Sequence, residues 1–316
     1  MAQTTLTRIA ILDDYQDLAL TLADWSSLRD QAVITVFNDH LSEPDRIIAR
    51  LKPFEIVCVM RERTPLSRDI LLGLPNLKLI ASTGPQNASI DVAAAAEYGI
   101  EVAHTRYDPS STIELTWALI LSSARNITIE NQSVRSGGWQ RTIGNGLRGK
   151  TLGVLGLGHI GSEVASIARS FGMEVIAWSE NLTSEKAHSH GARWVPKEEL
   201  FQKSDILTVH LVLSARTRGL VGRSELRLMK QSARLINTSR GPIIDEEALI
   251  EALRERQIAG AAIDVFDVEP LPPEHAFRFL DNVVATPHIG YVSRELYRLF
   301  YEDTVENIRK WLRKKS

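Results

Sequence analysis

The sequence predicts an α/β protein made of two doubly wound parallel-sheet domains, one inserted into the other. Three observations carry this expectation. Short apolar runs alternate with helical stretches from Arg8 to about Ala103, and the alternation resumes from Thr151 to Ala285. Between the two series lies a long, apolar helical stretch, about Ser111 to Ser136. An amphipathic helix, Ser293 to Leu312, comes last; it is expected to pack back on the first domain and make that domain discontinuous. The length of 316 residues suggests two domains, and 44% hydrophobic with 24% charged residues is an ordinary globular composition.

In the first series, Ile9–Leu12, Val33–Phe37, Ile56–Met60, Leu77–Ser82 and Ile100–Ala103 are short apolar runs, as strands of a parallel sheet buried on both faces require. Stretches near Leu18–Leu28, Asp45–Leu51, Arg68–Leu72 and Asp91–Tyr98 read as the helices between them. Ligands of such sheets bind beyond the carboxyl ends of the strands, which singles out the loops 61–64 and 83–87. The long helix carries Ile113, Trp117, Ile120, Leu121, Ala124 and Ile127. A helix this apolar must be covered on more than one side, as an interdomain bridge, a subunit interface, or both.

The second series is organised by Lys150 to Glu180. Thr151–Leu155 reads as a buried strand, followed by Gly156, Gly158 and Gly161, a helix over about His159–Phe171, and a strand at Val175–Trp178. Gly156 permits the tight turn, Gly158 lets backbone approach a pyrophosphate, and Gly161 lets the helix sit close on the sheet. The helix start at His159 and Ile160 points N–H groups and a positive dipole end at the phosphates. Three glycines alone are a weak signal; strand, glycines, helix and strand in this order predict a dinucleotide site. Further strands are expected at Ile206–Leu211, Ala233–Asn237, Ile258–Asp264 and Val283–Ala285, with helices at Lys197–Gln202, Ser224–Met229 and Asp245–Glu255.

A net charge of −2 and a pI near 6.5 leave no basic face for nucleic acid. Cys58, the single cysteine, lies in an apolar run and reads as a buried small hydrophobe. Met1–Arg8 lacks the apolar core of a leader and no run is long enough to span a bilayer, so a cytoplasmic protein is expected. His40, His104, His188, His190 and His275 fit no metal spacing and read as surface or packing residues; no metal is expected.

Three strand ends carry chemistry. Ile236-Asn-Thr-Ser-Arg240-Gly241 ends in an arginine whose fork could hold a carboxylate, or could simply pair with a neighbouring acid. Ile263-Asp264-Val-Phe-Asp-Val-Glu269-Pro270 brings acids, and Ala285-Thr-Pro-His288-Ile-Gly290 brings a histidine. Arg240, Glu269 and His288 all leave one sheet edge, which also carries the glycine turn. A histidine paired to a carboxylate suits acid/base work near neutrality, so a catalytic role outweighs a surface one.

Over nearly its whole length the chain resembles the D-isomer-specific 2-hydroxyacid dehydrogenases, phosphoglycerate dehydrogenase and glyoxylate/hydroxypyruvate reductase among them. The resemblance rests on Gly156-x-Gly-His-Ile-Gly161, Asn237-Thr-Ser-Arg-Gly241, Asp264-Val-Phe-Asp-Val-Glu-Pro270 and Pro287-His288-Ile-Gly290, with Leu77-Lys-Leu-Ile, Ile90-Asp91 and Gly99-Ile100 in the first domain. It implies an NAD(P)-binding Rossmann domain at 104–290 inserted into a flavodoxin-like substrate domain formed by 1–103 and 291–316. It also implies hydride transfer between NAD(P)H and a small 2-keto or 2-hydroxy acid. His288 is then the proton donor to the keto oxygen, Glu269 orients it, and Arg240 holds the substrate carboxylate and polarises the carbonyl. Cofactor contacts are expected from Gly156, Gly158, His159, Ile160, Gly161, Ser179, Glu180, His210, Thr238, Ser239, Arg240, Asp264, His288 and Gly290. Glu114 matches a glutamate that would anchor the domains, and a homodimer built largely through the long helix is implied.

Two departures from the family pattern carry information. The acid expected about 20 residues past the glycines, at the ribose hydroxyls, is replaced by Ser179, with Glu180 next to it and no cation nearby; NAD is favoured, with NADP possible. In Thr83-Gly84-Pro85-Gln86-Asn87, where the family offers backbone N–H groups to the substrate carboxylate, Pro85 has none. Thr83 and Gly84 remain substrate-binding candidates, with side-chain donors from Gln86, Asn87 or Arg61. A phosphorylated substrate would need clustered cations, for which Arg61 and Arg63 are the candidates. An oxidoreductase of the phosphite dehydrogenase type shares the arginine–glutamate–histidine set and is the alternative enzyme; Glu269 argues against the formate branch, which uses glutamine. NADH-sensing corepressors share the fold but carry added segments, which a chain reaching Ser316 just after its last helix is expected to lack.

Overall fold

The computed structural model describes residues 6–315; residues 1–5, part of the stretch read as lacking a leader, and residue 316 lie outside the described residues. The chain forms two compact units, Met1–Asp108 with Val292–Ser316, and Pro109–Tyr291.

The first unit alternates β1 (Thr7–Ile11), α1 (Ala19–Leu22), β2 (Ala32–Val36), α2 (Pro44–Leu51), β3 (Ile56–Val59), α3 (Arg68–Leu72), β4 (Leu79–Ser82), α4 (Val92–Glu97) and β5 (Glu101–His104). Its strands are parallel in the order β2-β1-β3-β4-β5, a flavodoxin-like winding with its switch point between β1 and β3. β3 and β4 are buried along their whole length, which is why they read as continuous apolar runs. Cys58 is buried in β3, and burial pushes its thiol up to about 12. The helix expected over Leu18–Leu28 is instead α1 and a separate 3-10 turn at Ser26–Leu28. Ala23 is extended, and Asp24 Oδ1 accepts the Ser26 N–H at 2.9 Å, a local bond that competes with helix.

The second unit contains α5 (Ser110–Ala124), α6 (Ile127–Arg135), β6 (Thr151–Leu155), α7 (His159–Ser170), β7 (Glu174–Trp178), α8 (Ser184–Ser189), β8 (Arg193–Trp194), α9 (Lys197–Lys203), β9 (Ile206–Val209), α10 (Arg223–Leu228), β10 (Arg234–Asn237), α11 (Glu246–Arg254), β11 (Gly260–Ile263) and β12 (Val283–Ala285). All seven strands are parallel in the order β12-β11-β10-β9-β6-β7-β8. This Rossmann winding reverses between β6 and β9. The pleat sends Leu152 and Val154 to one face, with α5 and α7, and Leu207 and Val209 to the other, with α9, α10 and α11. Both faces are thus covered.

The single helix expected over Ser111–Ser136 is broken into α5 and α6. Asn126 adopts the left-handed conformation (φ 52°, ψ 36°), which asparagine tolerates better than most residues. The Ala124 carbonyl accepts from Asn145 N–H at 2.8 Å instead of continuing the helix. α5 buries eight of its residues, Trp117 and Ile120 among them, and lies across β10, β11 and β12. The last helix, α12 (Arg294–Lys315), belongs to the first unit and buries Leu296, Tyr297, Phe300, Tyr301, Val305 and Ile308 at helical spacing. Among the described residues no helix is long and apolar enough to cross a membrane.

Candidate functional site

β10, β11 and β12 lie side by side, so the segments leaving their carboxyl ends share one edge of the sheet. The segment after β12 is held by Asp264, at the end of β11. Asp264 Oδ1 accepts from Thr286 Oγ1 at 2.7 Å and Ile289 N–H at 2.8 Å, and Oδ2 accepts from Gly290 N–H at 2.8 Å. Burial pushes this carboxyl up, opposed by those three bonds. The loop so tied presents His288 in a left-handed backbone conformation (φ 52°). His288 Nδ1 lies 2.6 Å from Glu269 Oε2, while Glu269 Oε1 accepts the Phe266 N–H at 2.9 Å. With Nδ1 engaged by Glu269, Nε2 is the ring atom left for proton exchange. Tyr291 packs edge-on against the imidazole at 5.4 Å.

Arg240 follows β10 in extended backbone; its Nη1 donates to Ser239 O at 2.7 Å, and its own carbonyl accepts from Asn237 Nδ2 at 3.0 Å. Ser239 Oγ donates to Val209 O at 2.9 Å, tying this turn to β9. A Cβ at Gly241 would lie 2.2 Å from the Phe266 carbonyl carbon. Only glycine lets the arginine turn dock on the strand end that carries Glu269.

The glycine turn lies at the sheet's switch point. Gly156 has φ +103°, and a Cβ there would meet His210 O at 2.6 Å; at Gly161 it would meet Gly156 O at 2.1 Å. Gly158 differs: a Cβ would meet nothing within 4 Å. The protein's own packing therefore gives no reason for glycine at 158. The open space lies before the first turn of α7, which has no side-chain cap. A pyrophosphate fits there, beside the exposed His159 and half-buried Ile160. His210 follows β9, its Nε2 2.9 Å from Thr208 Oγ1 and its Nδ1 buried with no hydrogen-bond partner among the described residues. Burial pulls this imidazole down to about 3, so it is neutral at neutral pH. Gly156 N–H donates to Trp178 O, so half-buried Ser179 and exposed Glu180 leave β7 directly beside the turn.

In the first unit, Arg61 adopts a left-handed backbone (φ 50°), and its side chain folds onto the loop after β4. Nη1 donates to Thr83 O at 3.2 Å and Gln86 O at 3.3 Å, and Nη2 lies 3.4 Å from Glu62 Oε1. Arg63 donates to Asp13 O and Tyr297 OH and stacks over the Tyr15 ring. Thr83 N–H donates to Val59 O, and Gly84 N–H to Thr105 Oγ1 at 2.7 Å. Asn87 Nδ2 donates to Arg61 O and Ser82 Oγ, while its Oδ1 accepts from Ser89. The exposed Gln86 amide alone of the loop's side chains has no hydrogen-bond partner among the described residues.

Several positions show contacts beyond their sequence reading or escaped it. Glu114 is exposed and has no hydrogen bond or ion pair among the described residues. His275 packs against the Phe277 ring at 5.0 Å, and both His40 and His275 also pair with carboxylates, Asp13 at 2.9 Å and Glu246 at 3.0 Å. Glu246 also accepts the Asp267 N–H at 3.2 Å, bracing the loop that carries Glu269. Thr112 and Thr116, two hydroxyls one turn apart on the buried side of an apolar helix, were the available signal for the support beneath the site.

The model of the D-isomer specific 2-hydroxyacid dehydrogenase NAD binding domain matches residues 117–290. The chain is 44% identical over 237 residues to a glyoxylate reductase of Aeropyrum pernix, covering 72% of this chain and 71% of that one. It is 39% identical over 273 residues to a D-3-phosphoglycerate dehydrogenase of Methanocaldococcus jannaschii, covering 85% of this chain but only 52% of that protein, about half its length. The solved phosphoglycerate oxidoreductase of Vibrio cholerae superposes with a TM-score of 0.93 at 36% identity, over 98% of this chain and 100% of that one. The chain therefore belongs to the D-isomer-specific 2-hydroxyacid dehydrogenases, NAD-dependent oxidoreductases acting on CH–OH donors.

Proposed function

We propose that the chain interconverts a small, unphosphorylated 2-keto acid, of the glyoxylate or hydroxypyruvate kind, with its D-2-hydroxy acid. The observation that carries this reading is the 2.6 Å Glu269–His288 pair on the sheet edge that Arg240 also leaves. Bound NADH supplies the hydride taken up by the keto carbon. Arg240 holds the substrate carboxylate through its fork and polarises the carbonyl. His288 gives a proton from Nε2 to the keto oxygen as the C=O π bond breaks. Glu269 orients the ring and balances its charge before transfer. The pyrophosphate is assigned to the turn of Gly156, Gly158, His159, Ile160 and Gly161, and the ribose to Ser179 and Glu180. His210, Thr238, Ser239, Asp264 and Gly290 are assigned to the nicotinamide side. The exposed Glu180 carboxylate, with no partner among the described residues, disfavours a 2′-phosphate and favours NAD over NADP.

The first unit is assigned the role of substrate domain. Arg61 and Arg63 both spend donors on protein oxygens, which argues against a phosphorylated substrate. Arg61, Thr83, Gly84 and Asn87 shape the loop, and Gln86 makes its substrate contact. A homodimer is part of the proposal: Ile127, Val134, Trp139 and Ile143, on α6 and the loop after it, are exposed apolar residues that a second copy would cover.

The test is a panel of 2-keto acids against NADH and NADPH, followed by loss of nicotinamide absorbance. Turnover of an unphosphorylated acid with NADH is expected, and Arg240→Ala is expected to abolish it with NADH binding retained. Wild-type-level turnover in that variant would remove Arg240 from its role.

A further inference from the structure

We infer that Thr112 and Thr116 of α5 form a two-point clamp that sets the placement of His288 and Arg240 relative to each other. Thr112 Oγ1 donates to Gly290 O at 3.0 Å, two residues beyond His288. Thr116 Oγ1 lies 2.9 Å from Thr238 Oγ1, two residues before Arg240, and 2.8 Å from Thr112 O. A hydroxyl has one proton, so satisfying both Thr116 contacts requires Thr238 to donate to Thr116 and Thr116 to Thr112 O. The two catalytic segments are thereby joined through a single helical turn. Thr112, Thr116 and Thr238 are all buried, so water does not compete for these bonds.

The spacing follows from the helix. Residues four apart stand one above the other on one face, so the two hydroxyls are held about one helical pitch apart on a rigid element. α5 crosses β10, β11 and β12, the three strands whose ends supply Arg240, Glu269 and His288. Gly290 is gripped on both sides, its N–H by Asp264 and its carbonyl by Thr112. Asp264 ties the histidine loop to β11; the threonines tie it to the arginine turn.

This assignment rests on the proposed roles of Arg240 and His288, so Thr112 and Thr116 are positioning residues that act through them. Thr112→Val and Thr116→Val keep side-chain shape and remove the hydroxyl; Thr→Ser at each site keeps it. Steady-state kinetics with the best wild-type 2-keto acid and NADH fluorescence titration are compared across the set. Thr112→Val is expected to lower kcat about 10-fold with little change in keto-acid KM, since small displacements of a reacting group cost that much. Thr116→Val is expected to raise keto-acid KM about 10-fold through the displaced arginine. Serine at either position restores both parameters. A valine variant that fails to fold by circular dichroism is replaced by alanine, which leaves room for water, with the same split smaller in size. Wild-type kinetics in both hydroxyl-free variants would overturn the clamp, as would equal losses in serine and valine. Wild-type protein inactive on every 2-keto acid would instead overturn the reading beneath it.

Discussion

Nδ1 of His288 lies 2.6 Å from Oε2 of Glu269, a pair formed by loops from two adjacent strands, β11 and β12. Both partners are braced: Glu269 by the Phe266 N–H, and the histidine loop by Asp264. Glu269→Gln keeps the shape of the side chain and removes its charge. We expect kcat for 2-keto acid reduction to fall on the order of 100-fold, with NADH affinity unchanged. His288→Asn should lose at least as much, and combining the two should cost little beyond His288→Asn alone, because the residues act as one unit. Additive losses in the double variant would show that they act separately.

In the proposed reading, Gln86 is the side chain through which the loop after β4 addresses a substrate. Arg61 and Asn87 spend their donors on the protein, and Pro85 has no N–H to offer. Gln86→Ala is therefore expected to raise the keto-acid KM about 10-fold, the size of one hydrogen bond to a charged group. Cofactor KM should not move. Arg61→Ala makes the contrasting case: it removes the strut under Thr83 O and Gln86 O, so it should lower thermal stability as well as activity. A Gln86→Ala enzyme with unaltered KM for every accepted acid would return the contact to the backbone.

What could be read in the sequence was local. The glycine turn, the strand ends at Asn237 and Ile263 and the segment around His288 each announce themselves within a dozen residues, because turn, strand and helix start are short-range events. The break at Asn126 was hidden, since apolar spacing runs straight through a residue whose left-handed conformation depends on the loop at Asn145. Arg61 looked like a cation for substrate; that its guanidinium lies on the Thr83–Gln86 loop depends on β3 and β4 pairing, 22 residues apart for Arg61 and Thr83. Thr112 and Thr116 looked like ordinary helix residues, and only the order of β10, β11 and β12 gives their hydroxyls partners more than 100 residues away.

Glu225 should make the second unit acid-sensitive. Burial alone would raise its carboxyl, but bonds from Lys197 Nζ at 2.9 Å, Ser224 Oγ at 2.8 Å and Gly222 N–H at 3.0 Å win and hold it down to about 2. A depressed folded-state value contributes stability that is complete above 4.5, the ordinary glutamate value, and is lost as pH falls toward 2. The site is partly open to water, so about 1 kcal/mol is a reasonable size. Thermal melts of wild type and Glu225→Gln should differ by a few degrees at neutral pH, and the gap should close as the pH is lowered through this window. A gap independent of pH would mean that the variant's loss comes from packing.

Trp139 is 75% exposed and Ile143 94% exposed on the loop after α6, where Val134 and Ile127 add further apolar surface. Scattered apolar residues are normal on a surface; four within 17 positions of one stretch concentrate apolar surface that water disfavours. Among the described residues this loop is held on its own unit through Glu130, which accepts the Arg141 and Thr142 N–H groups, and through Ser133 Oγ donating to Trp139 O. Its backbone is thus ordered while its apolar side chains stay exposed, as a preformed subunit contact requires. Wild-type protein is expected to sediment as a dimer at micromolar concentration. Trp139→Glu should give monomers that keep their circular dichroism spectrum, because the side chain contributes little to its own unit. Dimers that persist in Trp139→Glu and in the Trp139→Glu/Ile143→Glu double variant would move the interface to another face.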